Sequence, residues 1–158
     1  MQSINILGID LAKNVFQLCG VNLQGKVVLE KRVRRTRLLL ETANLNVGFI
    51  ALEACSGAHF WAREFTKQGH QVRLVSPQHV KPFVRTNKND RNDALAITEA
   101  SQRPNIHFVA MKNIERQDIQ SAHRVRARIM TDRIALTNEI RSLLHEYGKS
   151  STCPACVQ

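Results

Sequence analysis

Apolar residues fall in short runs along this chain, and polar turns divide the runs. Ile4-Asn5-Ile6-Leu7-Gly8-Ile9-Asp10 is one such run, closing on an acid. Its length and branched side chains predict a buried central strand. Residues 14–21 roughly alternate, Asn22 to Gly25 predicts a turn, and residues 26–33 (Lys-Val-Val-Leu-Glu-Lys-Arg-Val) predict a third strand. Together they predict a β-meander. Thr36 stands where it would cap a short helix reaching about Leu45. Val47 to Glu53 is another apolar run ending in an acid. Ser56-Gly57 opens a predicted helix to about Gln68, which Gly69 ends, and 70–75 predicts a strand stopped by Ser76-Pro77. Residues 76–92 read as irregular, polar and basic, and Asp90 to Gln102 as a helix closed by Pro104.

From about Asn113 to Tyr147 there is neither proline nor glycine. A helix of that length would run about 50 Å at 1.5 Å per residue, which suggests a coiled coil or a projecting arm. Ile119, Ala122, Ile129, Leu136, Ile140 and Leu143 fall on a heptad seam, interrupted by Arg126 and Arg133. The order of elements is three strands, helix, strand, helix, strand, helix. It predicts an α/β fold with a mixed sheet and flanking helices, an antiparallel meander leading into parallel strands. That is the order of a ribonuclease-H-like fold. The expected domains are residues 1–110, a long-helix arm over 111–148, and a disordered tail over 149–158.

Charge adds a partner to this picture. There are 23 Lys and Arg against 13 Asp and Glu, a net charge of +10, and the pI is about 10.1. Such a chain suits a polyanion, nucleic acid first and an anionic membrane surface second. With only eight aromatic residues, base-stacking platforms are not expected, so the basic groups should meet phosphate backbone. No window approaches the 18 or so apolar residues of a membrane span, and the N-terminus lacks the basic start of a secretory signal. At 43% hydrophobic, the chain has the apolar content for a folded core. Cys19 and Cys55 lie in apolar runs and read as buried free thiols, which fits a reducing cytoplasm.

The scarce acids carry the candidate chemistry. Residues 1–111 hold fifteen basic side chains and eight acids: Asp10, Glu30, Glu41, Glu53, Glu64, Asp90, Asp93 and Glu99. Asp10 and Glu53 end strands. Asp90 and Asp93, three apart where a helix begins, can share a helical face. Four converging carboxylates would repel unless divalent cations neutralised them. Hard oxygen ligands suit Mg²⁺ or Mn²⁺, and two such ions activate a nucleophile and stabilise a leaving oxygen at a phosphodiester. Singly, each acid has an ordinary reading. Asp10 could face a loop, Glu53 could charge the first turn of a helix, and Asp90 with Asp93 is close to a capping box. Taken together in this strand order, the metal site is the better account.

Three motifs then bear on identity. Gly8-Ile9-Asp10-Leu11-Ala12-Lys13, Leu52-Glu53-Ala54-Cys55-Ser56-Gly57 and Asn87-Lys88-Asn89-Asp90-Arg91-Asn92-Asp93-Ala94 resemble the three acidic motifs of the insertion sequence 110 family of transposases. The likeness covers about residues 4–147. It implies a RuvC-like Asp-Glu-Asp-Asp nuclease domain, related in shape to Holliday-junction resolvases, with Asp10, Glu53, Asp90 and Asp93 as catalytic, metal-binding tetrad. It implies that the long helix is a coiled-coil segment mediating homo-oligomerisation, that the partner is DNA, and that a structured guide RNA directs target choice. Family members also carry a C-terminal domain with a catalytic serine. The family pattern fails at Lys149, which implies a truncated or frameshifted copy, or a fragment, without that domain.

Basic residues surround these motifs. Lys31-Arg32-Val33-Arg34-Arg35-Thr36-Arg37 reads equally as a phosphate-contacting ridge, through Arg32, Arg34, Arg35 and Arg37, or as a solvated edge strand protected by charge. Lys81, Arg85, Lys88 and Arg91 flank the aspartate pair and favour a phosphate-holding role; Lys13, Lys88 and Arg91 could steady phosphates. Cys153 and Cys156 form a lone C-x-x-C, short of the four ligands of a structural zinc site, and read better as an out-of-family tail. Ser56 has no histidine elbow, so a hydrolase triad is not expected. Three functions follow: a nuclease-like domain of a cytoplasmic, nucleoid-associated DNA transposase; a resolvase-like nuclease; or a non-catalytic nucleic-acid-binding and oligomerising fragment.

Overall fold

Strands form where apolar side chains have two faces to cover. In a computed structural model, which describes residues 3–84 and 90–150 but not the side chain of Asp90, β1 (Ile4–Asp10) is buried on both sides from Ile6 to Ile9. A doubly covered strand reads as a continuous apolar run. By contrast β3 (Val27–Arg34) buries only Val33, and its charges mark a protected sheet edge. Between them lies β2 (Val15–Val21). β4 is Val47–Glu53, β5 is Val72–Val75 and β6 is Phe108–Val109. The six strands form one sheet in the order β3-β2-β1-β4-β5-β6. β1 and β2, β2 and β3, and β5 and β6 run antiparallel; β1 with β4 and β4 with β5 run parallel. This is the expected mixed α/β sheet with flanking helices.

Helices cover both faces. On one lie α1 (Leu38–Ala43) and α2 (Ala58–Lys67). Ala58, Trp61, Ala62 and Phe65 of α2 recur at helical spacing and pack on Leu7, Ile9, Phe16, Leu18, Ile50, Leu52 and Leu74. The Trp61 ring meets Phe16 edge-on at 5.2 Å and stacks on Phe65 at 6.0 Å. On the other face lies α4 (Asp90–Ser101), preceded by the single turn α3 (Pro77–Val80). Ala94, Ala96, Ile97 and Ala100 of α4 pack against Ile6, Cys19, Val21, Ala51 and Val75. Gly8 makes this approach possible. A Cβ there would stand 2.5 Å from Thr98 Cγ2 and 2.6 Å from the Ala94 carbonyl oxygen.

The chain divides into two compact units at Asn113/Ile114. The second is built on α5 (Ile114–Glu146), 33 residues long with none buried. Gly148 takes a left-handed φ of 65°, and the Lys149 N–H bonds back to the Leu144 carbonyl, closing the helix as αL caps do.

Several expectations change. Residues 77–83 are not irregular: Pro77 stands in the first turn of α3 and Pro82 in a following 3-10 turn, Lys81–Phe83, where a missing N–H costs no helical bond. Thr36 caps nothing; it sits inside a 3-10 turn, Arg35–Arg37, whose entry has no side-chain cap. The two-residue strand β6 went unforeseen, being too short to show a period. Cys19 is buried but Cys55 is only half-buried. Arg85 and Lys88, and Cys153 with Cys156, lie outside the described residues.

Candidate active site

Asp10 is the last residue of β1 and Glu53 the last of β4. These strands are parallel neighbours with Ile9 opposite Leu52, so the two acids leave the sheet side by side at one edge. Their face follows from alternation. Asp10 shares the parity of Ile6 and Glu53 that of Ala51, and both apolar residues belong to the α4 side. Asp93 lies on the first turn of α4, one residue before Ala94, the residue pressed against Gly8. The Gly-x-Asp spacing of β1 therefore does two jobs. Its glycine admits the helix and its aspartate meets the helix start.

Asp10, Glu53 and Asp93 line one cleft of about 400 Å³, together with Pro77, Gln78, Val80, Lys81 and Val84. Burial first, and the neighbouring Asp93 carboxylate second, push the Glu53 carboxyl above its ordinary value. Burial, then Glu53 and Asp10, likewise push the Cys55 thiol up. A like-charge pair in partial burial raises a carboxyl in this way. Among the described residues, no group of three or more His, Cys, Asp or Glu side chains is drawn closely enough to hold a metal ion. Asp90 stands at the start of α4; its side chain lies outside the description. No acid falls in the first turn of α2, which removes the helix-charge reading of Glu53.

The seven-residue basic run is split by strand alternation. Arg32 and Arg34 fall opposite in parity to buried Val33 and so take the α4 side. Lys31 takes the other side, where its Nζ meets Glu41 Oε2 of α1 at 2.6 Å. Arg35 stacks over Trp61 at 5.3 Å and Phe16 at 6.0 Å, so it serves the aromatic face away from the acids. Arg37 borders a separate groove with Lys31, Arg32, Arg34 and Glu41. Lys13 is exposed in the turn after β1, and Lys81 lies in the acid cleft itself. Arg91 Nε pairs with Glu30 Oε1 of β3 at 2.7 Å. Sequence reasoning passed over Gln78 in the acid cleft and Gln17, which pairs with Asp10 across β1 and β2. Cross-strand register, which places Gln17, leaves no local signal.

The fold is thus a mixed α/β domain that gathers acids from two strand ends and a helix start in one cleft. The profile of the insertion sequence 110 DEDD family, described as "Transposase", matches residues 7–149. The chain belongs to this transposase family. It is 51% identical over 148 residues to the "Transposase for insertion sequence element IS1111A" of Coxiella burnetii, covering 94% of this chain and 41% of that protein. It is 45% identical over 150 residues to the "Probable family 20 transposase" of Pseudomonas aeruginosa, covering 95% of this chain and 44% of that protein. The chain thus spans less than half the length of these relatives. In shape it is similar to RuvC of T. thermophilus, solved in complex with Holliday junction substrate, with a TM-score of 0.49 at 14% identity, over 66% of this chain and 98% of that one. No helix among the described residues is long and apolar enough to cross a membrane.

Proposed function

We propose that this chain is the metal-dependent catalytic domain of a DNA transposase, with Asp10, Glu53, Asp90 and Asp93 holding Mg²⁺ or Mn²⁺. One observation carries the reading: carboxylates from β1, β4 and α4 line one cleft, where burial and then the Asp93 charge raise the Glu53 carboxyl. The donor set fits the ion. All the donors are oxygens, as hard divalent cations prefer, and their mutual repulsion is of the sign a cation would relieve. When bound, such ions lower the pKa of water and stabilise charge on phosphodiester oxygens. The chain's own groups position the substrate. Lys81 in the cleft and Arg91 at the start of α4 hold backbone phosphates beside the acids, and Gly8 keeps α4 near enough for Asp93 to join them.

DNA is the substrate proposed, with a structured RNA as a second nucleic-acid partner and the heptad seam of α5 as the contact between copies. Ile119, Ile129, Leu136, Ile140 and Leu143 are all exposed along that helix, as a seam awaiting a partner helix requires. The cytoplasm and nucleoid are the place proposed for this work. The rest of the reaction would fall to parts of the protein beyond this domain. Mg²⁺ or Mn²⁺ is expected to raise the melting temperature, by the linkage of binding to stability, and Asp10→Asn to remove that rise. Wild-type melting indifferent to both ions would overturn the reading. Metal binding without cleavage of DNA would assign the domain half of a composite site. Cleavage of a branched junction by the chain alone would favour a resolvase-like nuclease.

A further inference from the structure

The row of side chains that includes Asp10 continues beyond it. Asp10 is paired with Gln17 on β2, and Gln17 with Arg32 on β3. Residues directly opposite on neighbouring strands project to the same face, so Arg32, Gln17 and Asp10 form one line on the α4 side. At about 4.8 Å per strand, Gln17 starts about 5 Å and Arg32 about 10 Å from Asp10. A second cleft of about 390 Å³ opens over this line, bordered by Gln17, Glu30, Lys31, Arg32 and Arg91.

Gln17 is the unusual member. It is a polar residue only 6% exposed, and the part of it that remains open borders this cleft. Gln17 presents donors and an acceptor to a cleft whose border carries two guanidinium groups, Arg32 and Arg91, and one carboxylate. The carboxylate, Glu30, is held by Arg91 at 2.7 Å, which fixes the guanidinium at the rim. An uncharged ligand would use the amide but not the cations. A phosphodiester uses both: its oxygens accept from the amide NH₂ and from the planar guanidinium fork.

We propose that Gln17 and Arg32 form a phosphate track, gripping the polynucleotide strand on the β3 side of the acid cleft, one or two residues from the phosphodiester that lies at Asp10 and Glu53. The track rests on the reading of that cleft as the reaction centre, but its own contacts need no metal. Its test is therefore made without metal. Binding of the 158-residue chain to a labelled single-stranded DNA and to its RNA counterpart is followed by fluorescence anisotropy in EDTA, over a salt series.

Gln17→Met keeps the bulk and removes the amide. It is expected to weaken binding roughly three- to tenfold, the worth of one hydrogen bond, with the salt slope unchanged, because no counterion is involved. Arg32→Gln is expected to weaken binding and to flatten the slope of log affinity against log salt by about 0.7, one counterion on a single strand. Gln17→Glu, of the same shape but charged, should weaken binding more than Gln17→Met. Loss on DNA alone or RNA alone names the strand that lies in the track. Wild-type affinity of Gln17→Met and Gln17→Glu for both strands overturns the proposal, as does a loss seen only where the variant also melts lower. A missing metal-induced rise in melting temperature would instead count against the acid cleft, and Gln17→Met should retain that rise.

Discussion

On the α1/α2 side of the sheet, contact is led by large rings; on the α4 side the helix brings three alanines and Ile97 down over a glycine. Trp61, Phe16 and Phe65 fill the first interface, and an exposed guanidinium, Arg35, lies over two of those rings. The second interface sets Ala94, Ala96 and Ala100 against Ile6, Cys19 and Ala51, with Gly8 under Thr98. Bulk on one face supplies buried apolar area and hence stability. Smallness on the other supplies proximity. Only a thin interface brings the first turn of α4 down to the strand ends, and every acid proposed for the metal site belongs to that thin side. The more stable-looking face and the chemically loaded face are thus different surfaces of the same β1 and β4.

Truncation of the bulky face should have the largest effect. Phe65→Ala is expected to cost about 3–5 kcal/mol in denaturant unfolding. At a permissive temperature, the folded fraction should keep its metal-induced rise in melting temperature. Loss of the metal response in folded Phe65→Ala would break the division of labour between the faces. Enlarging the thin face should cost less but do the opposite to the site. Gly8→Ala forces a methyl into contacts of 2.5 and 2.6 Å, one of them with backbone, so overpacking of about 1–3 kcal/mol is expected. It should also abolish the metal-induced rise, because Asp93 moves with α4. Retention of the full rise would show that closeness at Gly8 does not set the site.

The smallest effect is expected at Glu53, and its sign depends on pH. The folded carboxyl is raised above its ordinary 4.5, by burial and by Asp93. Protonated Glu53 therefore contributes stability fully below about 4.5, and that contribution is lost as pH rises through the higher folded value. At neutral pH in EDTA, Glu53→Gln should melt slightly above the wild type, and the difference should vanish near pH 4. With Mg²⁺ the order should reverse, since only the wild type gains. Melting of Glu53→Gln below the wild type in neutral EDTA would show that the acids are not repelling one another.

What could be read in the sequence follows the same contrast. Ile4–Asp10 and Val47–Glu53 were legible to the residue, because strands buried on both faces show as unbroken apolar runs that stop where the sheet stops. Their terminal acids were legible for the same reason. The basic run at 31–37 was legible as charge but not as structure. Only its pairing with β2 shows that Arg32 faces the acids while Arg35 stacks on Trp61. Gln17 was invisible, since a glutamine in a strand means little until register sets it beside Asp10. The short turn at Pro77 and the two residues of β6 were missed because neither is long enough to carry a period.

The space above Gly8 also bears on how this domain can drift over generations. Of the two atoms that crowd position 8, one belongs to the Thr98 side chain and the other is the Ala94 carbonyl oxygen. A smaller residue at 98 removes the first obstacle, but no exchange at 94 removes the second, because every residue carries that oxygen. Position 8 therefore lacks a compensating partner: its neighbours can change their side chains without ever releasing it. Among descendants that keep α4 where it is, glycine at 8 should persist while 98 varies among small residues.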